Sequence, residues 1–306
     1  MGKVITQLVD DPQRERLERR FGSGAQSWLD SLPALLDDLA RQWKLTIEGP
    51  APHGKTSVVV RCRREDGAVG LLKTCPEPAI LGTEARVLRL WESTRRVPMI
   101  WEVDSTRGGL LMEFIEPGHS ALDVGKPVAM EDIGALIADL HAADISADQL
   151  DELHPLQTRL QFLYNSWEYL RATGPAADVV PPVLLHRGHA HARALAAAED
   201  NVVPLHGDLH PGNVLIGEPE RGLVAIDPRA CAGDAAFDGI DWVLWQVETV
   251  EEIHHRAAVL APAIGTSTER LLNWCRALAP IPAIDFANRG QTHHPTFAAL
   301  TDFIER

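Results

Sequence analysis

Cysteine is scarce in this chain and scattered. Cys62, Cys75, Cys231 and Cys275 are the four present, and no two stand as a CxxC pair. That spacing argues against a zinc site and a disulfide scaffold, and reduced thiols are expected. Long apolar runs are missing too, since none nears the ~20 residues that a membrane-crossing helix needs. The opening stretch MGKVITQLVDDPQRERLERR is charged and lacks a signal-peptide core. A cytoplasmic protein with no membrane partner is therefore expected. Lysine is rare, with five (Lys3, Lys44, Lys55, Lys73 and Lys126) among 29 basic residues. Positive charge is in deficit mainly in the later part of the chain. Residues 1–100 carry 16 Lys/Arg against 13 Asp/Glu, residues 101–306 carry 13 against 30, and the net charge is −14. A field of that sign repels nucleic acid and attracts cations, although a solvated acidic surface also accounts for it.

What is present is an ordinary globular composition, 45% hydrophobic and 24% charged over 306 residues, with room for two modest lobes. Apolar residues at helical spacing predict a helix from Ser27 to Trp43. Short β-type runs follow at Leu45 to Glu48, Thr56 to Cys62 and Ala68 to Cys75, the last two joined by the hairpin signal Asp66-Gly67. A helix is expected from Ala79 to Ser93, then strands near Met99 to Val103 and Gly109 to Ile115. Beyond Glu116-Pro117-Gly118 the pattern turns helical, at Val128 to Ala142, Pro155 to Ala172 and Pro182 to Ala198. Further helices are expected at Ala236 to Val247, Val250 to Leu260, Ser267 to Leu278 and Thr296 to Ile304. The organisation is α+β: a helical extension over 1–44, a small β-rich lobe over 45–116 and a larger helical lobe over 117–306. Two lobes invite a ligand cleft.

Polar residues crowd one stretch, VVPLHGDLHPGNVLI from Val202 to Ile216, followed by GLVAIDPRACAGDAAFDGIDW from Gly222. Asp208 lies on a Gly/Pro-bearing loop, where backbone turns can aim a carboxylate outward. Asn213 opens the apolar run VLI, and Asp227 closes the apolar run LVAI. A hairpin between these runs would set the Asn213 amide oxygen beside the Asp227 carboxylate. That pair suits a hard Mg²⁺ that keeps waters and borrows phosphate oxygens. Asp208, left off the metal, can accept a proton from a substrate hydroxyl. Together these are the parts of a phosphoryl-transfer site.

His206-x-Asp208-x4-Asn213, with an apolar strand and Asp227 after it, resembles the catalytic loop and metal-binding Asp of the protein-kinase-like superfamily. The wording H-G-D-L-H-P-G-N, then I-D-P and G-D-x-x-F-D, resembles its aminoglycoside phosphotransferase branch, and the streptomycin 6-kinase and hydroxyurea phosphotransferase group within it. The resemblance implies a two-lobed kinase-like fold, ATP as donor and Mg²⁺ as cofactor. It implies that Lys73, in GLLKTC, holds phosphates and that Glu84 fixes it, with Glu77 a weaker partner beside two prolines. Without it, Lys73 is equally readable as a snorkelling edge lysine. GPAPHGKTS would be the phosphate loop, with Gly54 and Ser57 near the phosphates, though it is no GxGxxG. LLMEFIEPG resembles the hinge, whose backbone at Glu113 and Ile115 would pair with adenine.

By the same resemblance, Asp238 anchors the catalytic loop, and His206 is expected to pack and bond that loop. Gly207 stands where protein kinases place an arginine, and Pro228-Arg229 where they place Phe-Gly. Little chain separates Asp227 from the next expected helix, too little to dock a peptide, so the substrate is expected to be small. The acidic later lobe suggests a cation. Asp234, Asp241, Glu248, Glu251, Glu252, Asp302 and Glu305 are candidates for contacting it, and Asp234 also for capping the following turn. The expected activity is an ATP- and Mg-dependent O-phosphotransferase on an aminoglycoside, streptomycin-like first, in a monomer without nucleic-acid partners. A kinase of hydroxyurea or another small alcohol is the alternative. A nucleotide-binding sensor is the alternative of a different class.

Overall fold

The computed structural model describes residues 8–51, 56–124, 127–198 and 201–305. Contacts divide the chain into two compact units, Met1–Gly118 and His119–Arg306. The first opens with helix α1 (Asp11–Phe21), which the sequence pattern did not announce because it is mostly charged. Asp10 caps it by accepting from the Gln13 N–H at 2.8 Å, and Gly22 stops it at φ +69°. Helix α2 (Gly24–Gln42) sets Leu29, Leu32, Leu36 and Leu39 on one buried face.

A sheet follows, built of β1 (Leu45–Pro50), β2 (Val58–Arg64), β3 (Val69–Thr74), β4 (Ile100–Asp104) and β5 (Gly109–Glu113), in the order β1-β2-β3-β5-β4. The β2–β3 turn is the expected Asp66-Gly67, with Gly67 at φ +87°. Val58, Val60, Cys62, Leu72 and Leu111 share one core with Leu17, Leu29, Leu32 and Leu36, so α1 and α2 cover one face of the sheet. Side chains alternate across a strand. Lys73, next to Leu72, therefore points to the opposite face, where helix α3 (Pro78–Trp91) packs.

The second unit is mainly helical. Helices α4 (Met130–His141), α5 (Ala147–Asp151), α6 (Leu156–Thr173) and α7 (Pro182–Ala197) precede the polar stretch, with the short strand β6 (His154–Pro155) between α5 and α6. Strand β7 (Val202–Leu205) then pairs antiparallel with β10 (Cys231–Asp234), and β8 (Val214–Ile216) with β9 (Leu223–Ala225). Helices α8 (Ile240–Leu244), α9 (Val250–Ala263), α10 (Thr268–Leu278), α11 (Pro280–Asn288) and α12 (Pro295–Glu305) complete it.

Besides α1 and the short α5, elements late in the second unit differ from the sequence expectation. The helix expected over Ala236 to Val247 is a 3₁₀ turn, Ala235–Gly239, followed by the single short α8. It stops before Gln246, which adopts φ +48°, and α9 starts afresh on a Thr249 cap. The unexpected α11 begins with Pro280 and Pro282, which read as breakers but sit in the first turn, where a missing N–H costs nothing.

Candidate active site

In the first unit, Lys73 donates to both oxygens of Glu84, each at 2.8 Å, and the two side chains are only 8% and 10% exposed. The pair forms because β3 turns Lys73 away from the leucine core and α3 presents Glu84 to that face. A buried ammonium held by a buried carboxylate keeps its position. Removing either member breaks a buried ion pair, at about 3–5 kcal/mol.

Other expected nucleotide contacts are placed differently. Gly54 of the expected phosphate loop lies outside the described residues. Ser57 is fully buried, its carbonyl accepts from the Gln13 side chain at 3.1 Å, and its Oγ has no partner among the described residues. Its hydroxyl is turned into the protein and is not offered to a phosphate. Glu113 ends β5, where its N–H donates to the Met99 carbonyl at 2.9 Å. Ile115, just beyond, is buried, and its N–H donates no hydrogen bond among the described residues.

In the second unit, β7 delivers the chain to His206 and Gly207, and β8–β9 bring the two apolar runs together. Val214 pairs with Ala225, and the Ile226 N–H donates to the Asn213 carbonyl at 2.9 Å. The hairpin thus sets Asn213 and Asp227 at its open end, as the spacing suggested. Asp227 holds φ +54°, a left-handed conformation that costs a non-glycine residue and is kept where its direction matters. The Asn213 Nδ2 donates to the Asp208 carbonyl at 2.9 Å, so that bond uses the amide nitrogen and not the amide oxygen. With the Asp227 carboxylate, that oxygen is a donor set fit for a hard cation. Among the described residues no three His, Cys, Asp or Glu side chains cluster to hold a metal by themselves. A cation here would rely on phosphate and water for the rest of its shell.

Asp208 is about one-third exposed, in contrast to the residues that frame it. Asp238 sits beneath the loop with its carboxylate buried. It accepts from the His206 N–H at 2.8 Å, the Gly207 N–H at 2.9 Å and the His141 Nε2 at 3.1 Å. Burial alone would raise its pKa, but the His141 hydrogen bond and charge, the His206 charge and the Gly207 N–H outweigh that and hold it below the usual carboxylate range. His206 is fully buried, which pushes its pKa down, and its Nε2 meets the Ile226 carbonyl at 3.0 Å. His210 spends its Nδ1 on the Gly212 N–H at 3.0 Å and so shapes the turn.

Gly207 is needed for two reasons. Its φ is +76°, and a Cβ would stand 2.3 Å from the Arg229 carbonyl oxygen. Gly207→Ala is expected to destabilise by about 2–4 kcal/mol, since strain and clash add. Urea unfolding of the variant beside the parent checks this, and an unchanged midpoint would show that the loop relaxes freely.

The acidic substrate candidates divide. Asp234 does not face a ligand: it is buried, accepts from the Ala236 N–H at 3.0 Å and the Arg270 Nε at 2.7 Å, and also bonds Trp274. Glu252 pairs with Arg256 and accepts from the Glu248 N–H at 2.9 Å. Glu248, Glu251, Asp302 and Glu305 are exposed. Asp241 is also exposed, yet its pKa is pushed up to about 6, by desolvation first and then by the charge of Asp208. Trp245, four residues on, is 39% exposed rather than core, whereas Trp242 is buried.

Two site residues escaped the sequence reading. Arg159, from α6, bonds the Asp208 carboxylate at 2.8 Å and the Gly207 carbonyl at 2.9 Å. His141 ends α4. Both lie far from the loop in sequence, and no local pattern marks them.

Residues 42–290 match the family model for aminoglycoside/hydroxyurea antibiotic resistance kinases. A streptomycin 6-kinase of Streptomyces glaucescens is 28% identical over 284 residues, 87% of this chain and 86% of that one. A hydroxyurea phosphotransferase of Kitasatospora aureofaciens is 32% identical over 260 residues, 84% of this chain and 74% of that one. A macrolide 2'-phosphotransferase of Brachybacterium faecium superposes with a TM-score of 0.54 at 24% identity, covering 87% and 97% of the two chains, and so shares the kinase-like fold. The chain belongs to the aminoglycoside/hydroxyurea antibiotic resistance kinase family and is a phosphotransferase with an alcohol group as acceptor.

Proposed function

We propose that the chain transfers the γ-phosphoryl group of ATP to a hydroxyl of a cationic aminoglycoside, streptomycin-like first, with Asp208 as general base. The observation that carries this reading is the state of Asp208, a carboxylate about one-third exposed on a loop whose His206 and Asn213 are buried. The substrate oxygen attacks the γ-phosphorus, and its proton passes to Asp208. The bond from the γ-phosphorus to the bridging oxygen breaks, and ADP leaves. Lys73, held by Glu84, steadies the donor's phosphates. Asn213 and Asp227 would hold Mg²⁺, whose charge neutralises the phosphate oxygens.

The relatives' names support an aminoglycoside and hydroxyurea alike. Charge favours the first. Hydroxyurea is neutral and small, with no use for 30 acidic residues against 13 basic ones over 101–306, or for an exposed Asp241 beside an exposed Trp245. A carboxylate and an indole face together suit an ammonium or guanidinium.

Incubation of the purified protein with Mg-ATP and a panel of aminoglycosides and hydroxyurea, read by mass spectrometry, tests this. A phosphoryl adduct on streptomycin is the expected result, and an adduct on hydroxyurea alone would move the substrate. Asp227→Ala is expected to weaken Mg-nucleotide binding by about 10–100-fold in calorimetry, and unchanged affinity would remove Asp227 from the metal.

A further inference from the structure

Resting on the phosphotransferase reading above, we propose that Arg159 is the positioning residue of the catalytic carboxylate, selecting which oxygen of Asp208 takes the proton. Arg159 lies in the first turn of α6, beside Leu156 and Leu160, which anchor that helix in the core. Its guanidinium forks: Nε donates to the Gly207 carbonyl at 2.9 Å and Nη2 to Asp208 Oδ1 at 2.8 Å. The first bond fixes the backbone of the loop, and the second fixes the rotation of the carboxylate. Oδ1 is held by the shorter, charged bond, whereas Oδ2 accepts a longer one from the Asn213 Nδ2 at 3.4 Å. Oδ2 is thereby the oxygen left freer to take the proton.

The arginine is 11% exposed on its side chain, so the tie is shielded from water by the surrounding chain. Its guanidinium carbon lies 5.8 Å from the centre of the Phe162 ring, at the outer reach of a cation–π contact. A lysine could reach one of the two acceptors but could not span both in a plane. Because the loop has Gly207 ahead of Asp208, the cation that steadies the base comes from a distant helix.

Charge gives this arrangement a second consequence. Asp241 feels Asp208 and Asp238 as repulsive and Arg159 as attractive, so Arg159 is the cation within a set of carboxylates. A fixed cation beside the base opposes the binding of a cationic substrate, while the position it gives the carboxylate serves the proton transfer. Truncating it should therefore separate the two kinetic constants. A mere tie between helix and loop would not do so.

The test is steady-state kinetics of parent, Arg159→Ala and Arg159→Lys on the aminoglycoside that the parent phosphorylates, with thermal unfolding of each. Arg159→Ala is expected to lose about 10²-fold in kcat, the usual cost of a misplaced reacting group, with KM for the cation unchanged or lower. Arg159→Lys should recover only part of kcat. Added guanidinium at millimolar levels should partly restore Arg159→Ala by refilling the slot. If the parent phosphorylates and Arg159→Ala keeps its kcat, the inference is overturned. A raised KM, a lowered Tm and no response to guanidinium would also overturn it, in favour of a structural tie. If the parent phosphorylates nothing, it is the phosphotransferase reading that fails, and the two failures are distinct.

Discussion

Asp208→Asn is expected to lower kcat by about 10²–10⁴-fold, the contribution of a positioned general base, while nucleotide affinity stays unchanged. The substitution isolates proton transfer from structure. Asparagine has the same shape, and its amide oxygen can still accept from Arg159, which now bonds Asp208 at 2.8 Å. Asn213 holds the backbone carbonyl of residue 208 at 2.9 Å, closer than the 3.4 Å to its side-chain Oδ2, so the loop keeps its main tie. Single-turnover transfer with saturating Mg-ATP is the measurement. Retained turnover would end the assignment of Asp208 as base. A joint loss of transfer and nucleotide binding would show that the substitution had disturbed the loop instead.

Asp238→Ala is expected to remove about 3–5 kcal/mol of stability and most activity with it. The carboxylate is buried and receives two backbone N–H groups, from His206 at 2.8 Å and Gly207 at 2.9 Å. Alanine leaves both without an acceptor where water does not reach. Urea unfolding measures the loss, and a cost under about 1 kcal/mol would mean that the loop finds other partners. The same network predicts sensitivity to acid. His206 is held below the ordinary imidazole range by burial, and Asp238 lies below the ordinary carboxylate range. As pH falls through about 6.5, the unfolded chain binds a proton at His206 that the folded chain refuses, so stability drops. Below about 4 the unfolded carboxyl of Asp238 adds a further loss. Asp241, raised to about 6, runs the other way and recovers stability as it protonates, which opposes the first fall.

The catalytic loop was legible in the sequence because its chemistry is local. Asp208 and Asn213 lie five residues apart, and the two apolar runs that bring Asp227 back are a short hairpin. Lys73 and Glu84 were legible only through the family resemblance, which pairs a strand lysine with a helix glutamate, since the strand alone also allows a snorkelling lysine. Arg159 and His141 were not legible. Each reaches the loop through packing of helices far along the chain, and an arginine near a helix start has many ordinary uses. Burial reversed two readings for a related reason. Ser57 and Asp234 have the right chemistry at plausible places, but side-chain direction depends on the tertiary core, which turned both inward. Trp245 shows the converse, because its exposure follows from the early stop of α8 and could not be read from spacing.

The core shared by α1, α2 and the sheet bears on where this protein can be cut. Similarity to the family model begins at residue 42 and ends at 290. The fold observes neither limit. Leu17, Leu29, Leu32 and Leu36 lie before the first boundary and fill the same hydrophobic layer as Val58, Val60 and Leu72, while Leu300 and Phe303 lie beyond the second and are fully buried. Trimming to the span of the family model would strip the sheet of its apolar cover and open the helical unit at its end. The span that the model describes and the span that buries the core are therefore different objects here, and only the longer one should be expressed.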